Sequence, residues 1–388
     1  VRQSLSIILV LFFWGGNFVP CIAQSILLSN TSTADFNQRV IELSWKELVR
    51  KYNISDTTYF SLQDQDGTEI PIQFEYLANG SVSKVLALVS VPAKGTTTLL
   101  MVKRKRTAYP SLVYGRYVPE RKDDFAWENN KIAFRMYGRA LQFTNENAHG
   151  IDVWAKRTSR LVINDWYKTG DYHIDHGEGL DFYSVGSTMG AGNIAPYFAD
   201  TVFYPGNYTQ WKIMEQGPLR LRFKLSYDSF MYRGVRVAFE KEIELRAGDH
   251  FNKITVSLNA SSPVSVPMAV GVVTRKENGI FFFDKNAGLA TYWEPAHPSH
   301  GTIGVGVVFS EKIKKVSARS QQLFITKITN GRKFVYYAGA TWDQQGDHRS
   351  ALEWTKATKY FSTDRPPYSS IKIIYRIKKK GVNHTLNN

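Results

Sequence analysis

Hydrophobic and polar residues alternate with a period of two along much of the chain. Leu219, Leu221, Phe223, Leu225 and Tyr227 alternate with Arg220, Arg222, Lys224 and Ser226, as in a strand with one face in a core and the other toward water. Ile132, Phe134 and Met136 follow the same rule, as do Ile254, Val256 and Leu258. Residues 305–309 and 334–337 form apolar, strand-like runs. Asp66-Gly67, Asn278-Gly279 and Asn330-Gly331 tolerate positive φ and predict hairpin turns. Ser44-Trp45-Lys46-Glu47 and Ser350-Ala351-Leu352-Glu353 each fit a capping box, in which serine and glutamate satisfy the free amides of a helix start. The pattern predicts an all-β protein with minor helices.

The character of the chain changes between Lys103 and Pro110. Residues 24–105 have the length of a small N-terminal β-sandwich. Residues 106–388 are expected to form a large antiparallel β-sandwich, supersandwich-like, with a groove across one concave face. Ahead of both, Arg2 precedes the apolar run Ile7 to Trp14 and the small-residue stretch Cys21-Ile22-Ala23. This order predicts a signal peptide over residues 1–23, too short to span a membrane. Lipidation of Cys21 is the alternative, although Phe18-Val19-Pro20 matches a lipobox poorly. Cys21 is the single cysteine, so cleavage after Ala23 leaves no thiol or disulfide. An exported chain without disulfides points to a bacterial periplasm, and no later apolar run predicts an integral membrane segment.

The formal charge is +15, with 9 Trp and 21 Tyr. A basic, aromatic chain suits nucleic acid, anionic lipid or anionic polysaccharide. Export argues against nucleic acid, and no basic amphipathic helix supports lipid. An acidic glycan remains as the expected partner. The runs Lys103–Arg106 and Lys378–Lys380 read as solvated charge.

Candidate chemistry concentrates between Gly150 and Gly190, where Asp152, Lys156, Arg157, Tyr167, Tyr172, His173, Asp175, His176, Glu178 and Asp181 mix with Trp154 and Trp166. The spacing of His173, Asp175, His176 and Glu178 fits no standard zinc motif. Three readings stay open: a mixed nitrogen and oxygen site for a divalent metal, a histidine–carboxylate acid/base pair, or a hydrogen-bonded structural loop. Trp154 and Lys156 fall on one face of a strand, where a ring stacks and a cation neutralises an anion. Upstream, Arg116 and Arg121 are candidate clamps for a carboxylate or sulfate and Trp127 for a sugar ring. Trp342 is a further candidate at a strand end. His297, His300 and His348 lie near such segments, while His149, His250 and His384 have no informative context.

The blocks 114–129, 150–158, 173–183, 292–295 and 337–343 resemble a bacterial domain family of unknown function that recurs in gene clusters for acidic polysaccharide breakdown. Its characterised activity is an oligosaccharide dehydratase of ulvan degradation. The resemblance implies removal of water from a non-reducing-end glucuronate or iduronate to form a C4=C5 double bond. On that reading Arg157, Lys156, Arg121 or a metal neutralises the sugar carboxylate. His173, His176, Tyr167 or Tyr172 then moves protons, Asp175 and Glu178 orient a histidine, and the tryptophans bind sugars. A chain-cleaving lyase, a glycoside hydrolase using two carboxylates, and a non-catalytic glycan-binding protein are the alternatives.

Overall fold

The computed structural model describes residues 24–54 and 56–376. The expected leader with Cys21, and Lys378–Lys380, lie outside the described residues. The all-β expectation holds: antiparallel sheets dominate, with three α-helices among the described residues. None of these helices is long and apolar enough to cross a membrane.

The smaller sandwich pairs a five-stranded sheet with a three-stranded one around a core that includes Ile26, Leu43, Phe60, Phe74 and Leu99. Its outermost strand is Ile371–Arg376, which pairs antiparallel with Ser25–Asn30. The chain thus returns to the N-terminal unit, across the boundary expected near residue 105. Alternation in the strand Phe36–Ser44 then serves two cores. Ile41 and Leu43 point into the small sandwich, while Val40 points into the large one. Buried or half-buried ion pairs reinforce that junction: Arg39–Asp249 at 2.9 Å, Arg246–Glu42 at 2.6 Å and Arg220–Glu75 at 2.5 Å.

The large unit packs a nine-stranded sheet against two five-stranded sheets over one shared core. One of these smaller sheets runs Gly179–Leu180, Ile151–Lys156, Ala133–Met136, Asp124–Asn129, Val113–Val118. The other contains Ala191–Phe198 and Ser265–Val273. They meet at a parallel bridge between Ile151 and Gly190. Glycine is required there: Gly190 has φ +60, and a Cβ on it would lie 2.2 Å from the Ile151 carbonyl oxygen. Gly150, opposite, would place a Cβ 2.4 Å from the Gly190 nitrogen.

The serine half of both capping boxes forms: Ser44 accepts from the Glu47 N–H and Ser350 from the Glu353 N–H, opening the helices Trp45–Tyr52 and Ala351–Thr363. The Glu47 carboxylate goes to Arg50 and that of Glu353 to the Arg349 N–H. The Asp66-Gly67 turn joins the paired strands Ser61–Gln63 and Glu69–Ile70. The other two expected hairpins do not form. Asn278-Gly279 links Ser265–Val273 to Ile280–Asp284, and Asn330-Gly331 links Gln321–Thr329 to Lys333–Trp342. In both cases the flanking strands belong to different sheets. Asn330-Gly331 does form a turn, with Gly331 at φ +79, whereas the other connection bends at Lys276-Glu277, and in both long-range pairing decides the partner.

Gly190→Ala is expected to cost about 1–3 kcal/mol from the left-handed backbone alone, with the clash at Ile151 in addition. Equilibrium urea unfolding reads this, and parent-like stability would show that the seam adapts.

Candidate active site

Both faces of the sheet holding Asp124–Asn129, Ala133–Met136 and Ile151–Lys156 are buried. One face carries Phe125, Trp127, Phe134, Ile151 and Val153 into the main core. The other carries Asp124, Ala126 and Glu128, then Ala133 and Arg135, then Asp152, Trp154 and Lys156, as strand alternation and the observed register require. This second face is covered by the helix Ile163–Thr169 and the loop after it, through Trp166, Tyr167 and Tyr172. Glu128 holds the cover in place. Its carboxylate pairs with Lys156 Nζ at 2.5 Å and accepts the Val162 and Ile163 N–H groups at 2.9 and 2.8 Å, where a helix start favours negative charge.

Enclosure removes several expected ligand contacts. Trp127 packs against Phe134 and Phe223 and donates to Asn252 Oδ1 at 2.7 Å. Trp154 is fully buried between Trp166 and Tyr172. Trp166 is 9% exposed, and Trp342 is buried beneath the Arg157 guanidinium. Lys156 shares the Trp154 face, as alternation predicts, but has no exposure. Its commitment is to Glu128 and the Asn129 carbonyl, and burial pulls its amine below the usual range against the attraction of Glu128. These residues are corrected from sugar-binding surface to core: Trp154, Lys156 and Trp166 because the following helix closes over their face, Trp127 and Trp342 because they point into the main core between the sheets.

The other candidates do not converge. Asp175 pairs with Arg157 at 2.5 Å and accepts the Gly177 N–H at 2.8 Å. Glu178 pairs with Arg160 at 2.6 Å. His176, 66% exposed, has Asp171 at 3.9 Å. His173, 64% exposed, instead places Nδ1 at 2.8 Å from the Asp181 carbonyl oxygen. Four candidate metal ligands thus face four different partners, and among the described residues no three His, Cys, Asp or Glu gather to hold a metal. Arg116 pairs with Glu120, and Arg121 bonds the Tyr172 hydroxyl at 3.0 Å and Glu146 at 3.2 Å. Tyr167 reaches Asp124 Oδ2 at 3.4 Å.

At the seam between the two smaller sheets an open cleft of about 390 Å³ is lined by Arg135, Tyr137, Asn147, His173, Asp181 and Tyr183, among others. At its floor Arg135 serves three carboxyls: Asp152 at 2.5 Å, Asp181 at 3.1 Å and Asp124 at 3.9 Å. Burial pushes Asp124 up to about 7 despite Arg135 and Arg121. Asp152 is also raised by burial, and Asp181 well above its usual range by burial and the Asp152 charge. One cation among three buried acids therefore leaves proton-holding carboxyl beside the cleft near neutral pH. The Asp181 carbonyl fixes His173 with its hydrogen on Nδ1, which leaves the Nε2 lone pair free. Phe182 forms part of the rim, within 6 Å of the His300 ring. Arg135 and Tyr137 went unnoticed in the sequence because a polar position in an alternating strand reads as water-facing. Asp152 between two apolar neighbours was the available signal.

Residues 28–364 match the family described as Domain of unknown function (DUF4861). The chain belongs to this family. One relative, Uncharacterized protein P7 of Formosa agariphila, is 30% identical over 355 residues, covering 85% of this chain and 86% of its own. Two solved structures align more distantly. A protein in the Glycosyl Hydrolase Family 38 from Enterococcus faecalis covers 92% of the DUF4861 chain and 48% of its own, with a TM-score of 0.46 and 10% identity. An alpha-mannosidase from Enterococcus faecalis V583 covers 92% and 46%, with a TM-score of 0.42 and 8% identity. The chain spans about half the length of these two proteins.

Lys156→Ala strands a buried carboxylate and is expected to cost about 3–5 kcal/mol. A stable variant with weakened glycan binding would return Lys156 to the ligand. Asp124 gives a signed pH effect. Its folded pKa lies above the unfolded value, so its contribution is present at low pH and is lost as pH rises toward 7. Asp124→Asn, uncharged throughout, should gain about 2–3 kcal/mol on the parent between pH 5 and pH 8. Denaturant midpoints at both pH values test this, and a constant difference would place the proton elsewhere.

Proposed function

We propose that this DUF4861 protein is a carbohydrate hydro-lyase that removes water across C4–C5 of a uronate at the non-reducing end of an acidic, ulvan-type oligosaccharide. The observation that carries the reading is the Arg135–Asp152–Asp181 cluster at the floor of a sugar-sized cleft, with His173 oriented beside it. The resemblance of the 114–129 and 150–183 blocks to a family found with acidic polysaccharide breakdown supports the same substrate class.

His173 Nε2 takes the C5 proton, and the raised, protonated carboxyl of Asp181 returns one to the departing C4 oxygen. The C5–H electron pair becomes the C4=C5 bond, and the C4 oxygen leaves as water. Arg135 and Tyr137 hold the acid in place, since Tyr137 Oη lies 3.4 Å from the Arg135 guanidinium. Arg157, part-exposed with Trp342 beneath it, serves the neighbouring sugar and its anionic groups. Asp175, paired with Arg157, is held below the usual carboxylate range by the Gly177 N–H and Arg157 against the opposing effect of burial. It therefore positions that arginine and does not carry a proton.

Incubation with saturated uronate-ended ulvan oligosaccharides should produce ultraviolet absorbance and the loss of one water with chain length unchanged. Absorbance with shortened chains would make the protein a lyase, and shortened saturated chains would make it a hydrolase. His173→Ala should lower turnover by about 10²–10⁴-fold, the usual contribution of a positioned acid or base, while His176→Ala stays active. The opposite result would move the base to His176.

A further inference from the structure

The cleft floor leaves an electrostatic requirement unmet. A uronate brings a carboxylate, and loss of its C5 proton is eased when that charge is neutralised. Arg135 is already shared by three acids, so the floor has no cation to spare.

Tyr137 lines both the cleft and a narrower chamber beside it, and that chamber holds a lysine with no acidic partner among the described residues. Lys241 projects into this chamber from the strand Val235–Arg246 and is 1% exposed. Its Nζ donates to Asn193 Oδ1 at 2.6 Å and to the Tyr227 hydroxyl at 2.9 Å, and sits 4.2 Å from the Tyr227 ring centroid. Both acceptors are neutral, one of three ammonium donors is left over, and among the described residues Lys241 makes no ion pair. An enclosed ammonium without a counter-charge is costly, and burial alone pushes the amine well below its usual range.

The surroundings are ordered around the vacant donor. His149 Nδ1 lies 2.8 Å from Asn207 Oδ1, while Asn207 Nδ2 donates to the Gly138 carbonyl at 2.9 Å. That second bond fixes which end of the amide faces the imidazole, so His149 carries its hydrogen on Nδ1. The Asn193 amide donates to the His149 carbonyl, tying the Lys241 acceptor to the loop whose Asn147 and Ala148 line the cleft. Tyr204 forms the outer wall, stacked on His149 at 4.2 Å, and its hydroxyl lies 3.5 Å from the Ser187 carbonyl and beside Gln321.

We propose that Lys241 is the seat for the carboxylate of an acidic sugar, reached when the Tyr204 ring turns aside. The inference rests on the uronate reading of the cleft. The chamber as it stands holds about 10 Å³, room for one water at most, so displacement of Tyr204 is part of the proposal. The carboxylate supplies the missing counter-charge.

The test is isothermal titration in a His173→Ala background, which prevents turnover. The probes are a glucuronate-ended oligosaccharide and its carboxyl-reduced counterpart. The background protein is expected to favour the uronate by about 10- to 100-fold, as for one charge-assisted contact. Lys241→Met should abolish that preference and leave the reduced ligand's affinity unchanged. A buried charge replaced by an apolar side chain of similar length is usually tolerated, and Lys241→Gln gives the same readout if the methionine variant unfolds. A preference that survives both substitutions, or no preference in the background protein, overturns the proposal. If the preference depends on Lys241 but the parent forms no unsaturated product, the carboxylate seat stands and dehydration falls.

Discussion

The shared guanidinium of Arg135 is the constraint on which the surrounding structure depends. Strand register places Arg135 directly opposite Asp152, with both side chains on the same face. Asp181 and Asp124 then complete a group with more acids than cations. Such a group is tolerable in an interior only when charges are paired and surplus carboxyls hold protons. It also needs a cover, because water would level the acidities. The cover is the helix Ile163–Thr169 with Trp166, Tyr167 and Tyr172, and it is pinned by Glu128 acting on both Lys156 and the helix start. The ion pair that looked like ligand-binding chemistry is thus the clasp of the lid over the acidic face.

Much of the fold was legible because it depends on local pattern. The alternation at residues 219–227 is the strand Arg220–Ser226 with Leu221, Phe223 and Leu225 buried. Ser44 and Ser350 cap helices as their spacing requires. What was not legible depends on distant partners. Asn330-Gly331 turns the chain and Asn278-Gly279 does not, and the strands flanking each belong to different sheets. Trp154 and Lys156 do share a face, yet no periodicity tells that residues 163–172 fold back over it. Segment 150–190 contributes Asp152, His173 and Asp181 to the site, whereas Arg135 and Lys241 come from outside it. Arg135 occupies a polar position in an alternating strand, where solvent exposure is the ordinary expectation, whereas Lys241 falls in the inward phase of Val237, Phe239, Ile243 and Leu245, a signal the alternation did carry.

The two smaller sheets create the cleft by failing to merge. Gly150 and Gly190 let their backbones touch at one bridge, beyond which the chain diverges into the loops that carry Tyr137, Asn147 and Tyr183. Rigid strands hold Arg135 and Asp152, while His173 and Asp181 arrive on the covering segment. A site assembled this way has a fixed floor and an adjustable wall, the arrangement in which loop variation changes the ligand without disturbing the core.

The pairing of Ile371–Arg376 with Ser25–Asn30 imposes an order on biogenesis. Ser25–Asn30 lacks this neighbour until Ile371–Arg376, which follows the whole large unit in the sequence, has been made. Until then Ser25–Asn30 is itself the edge of its sheet, and unpaired edges recruit foreign strands. Completion of the small sandwich therefore waits on the large one, and the strand that arrives last takes over the edge.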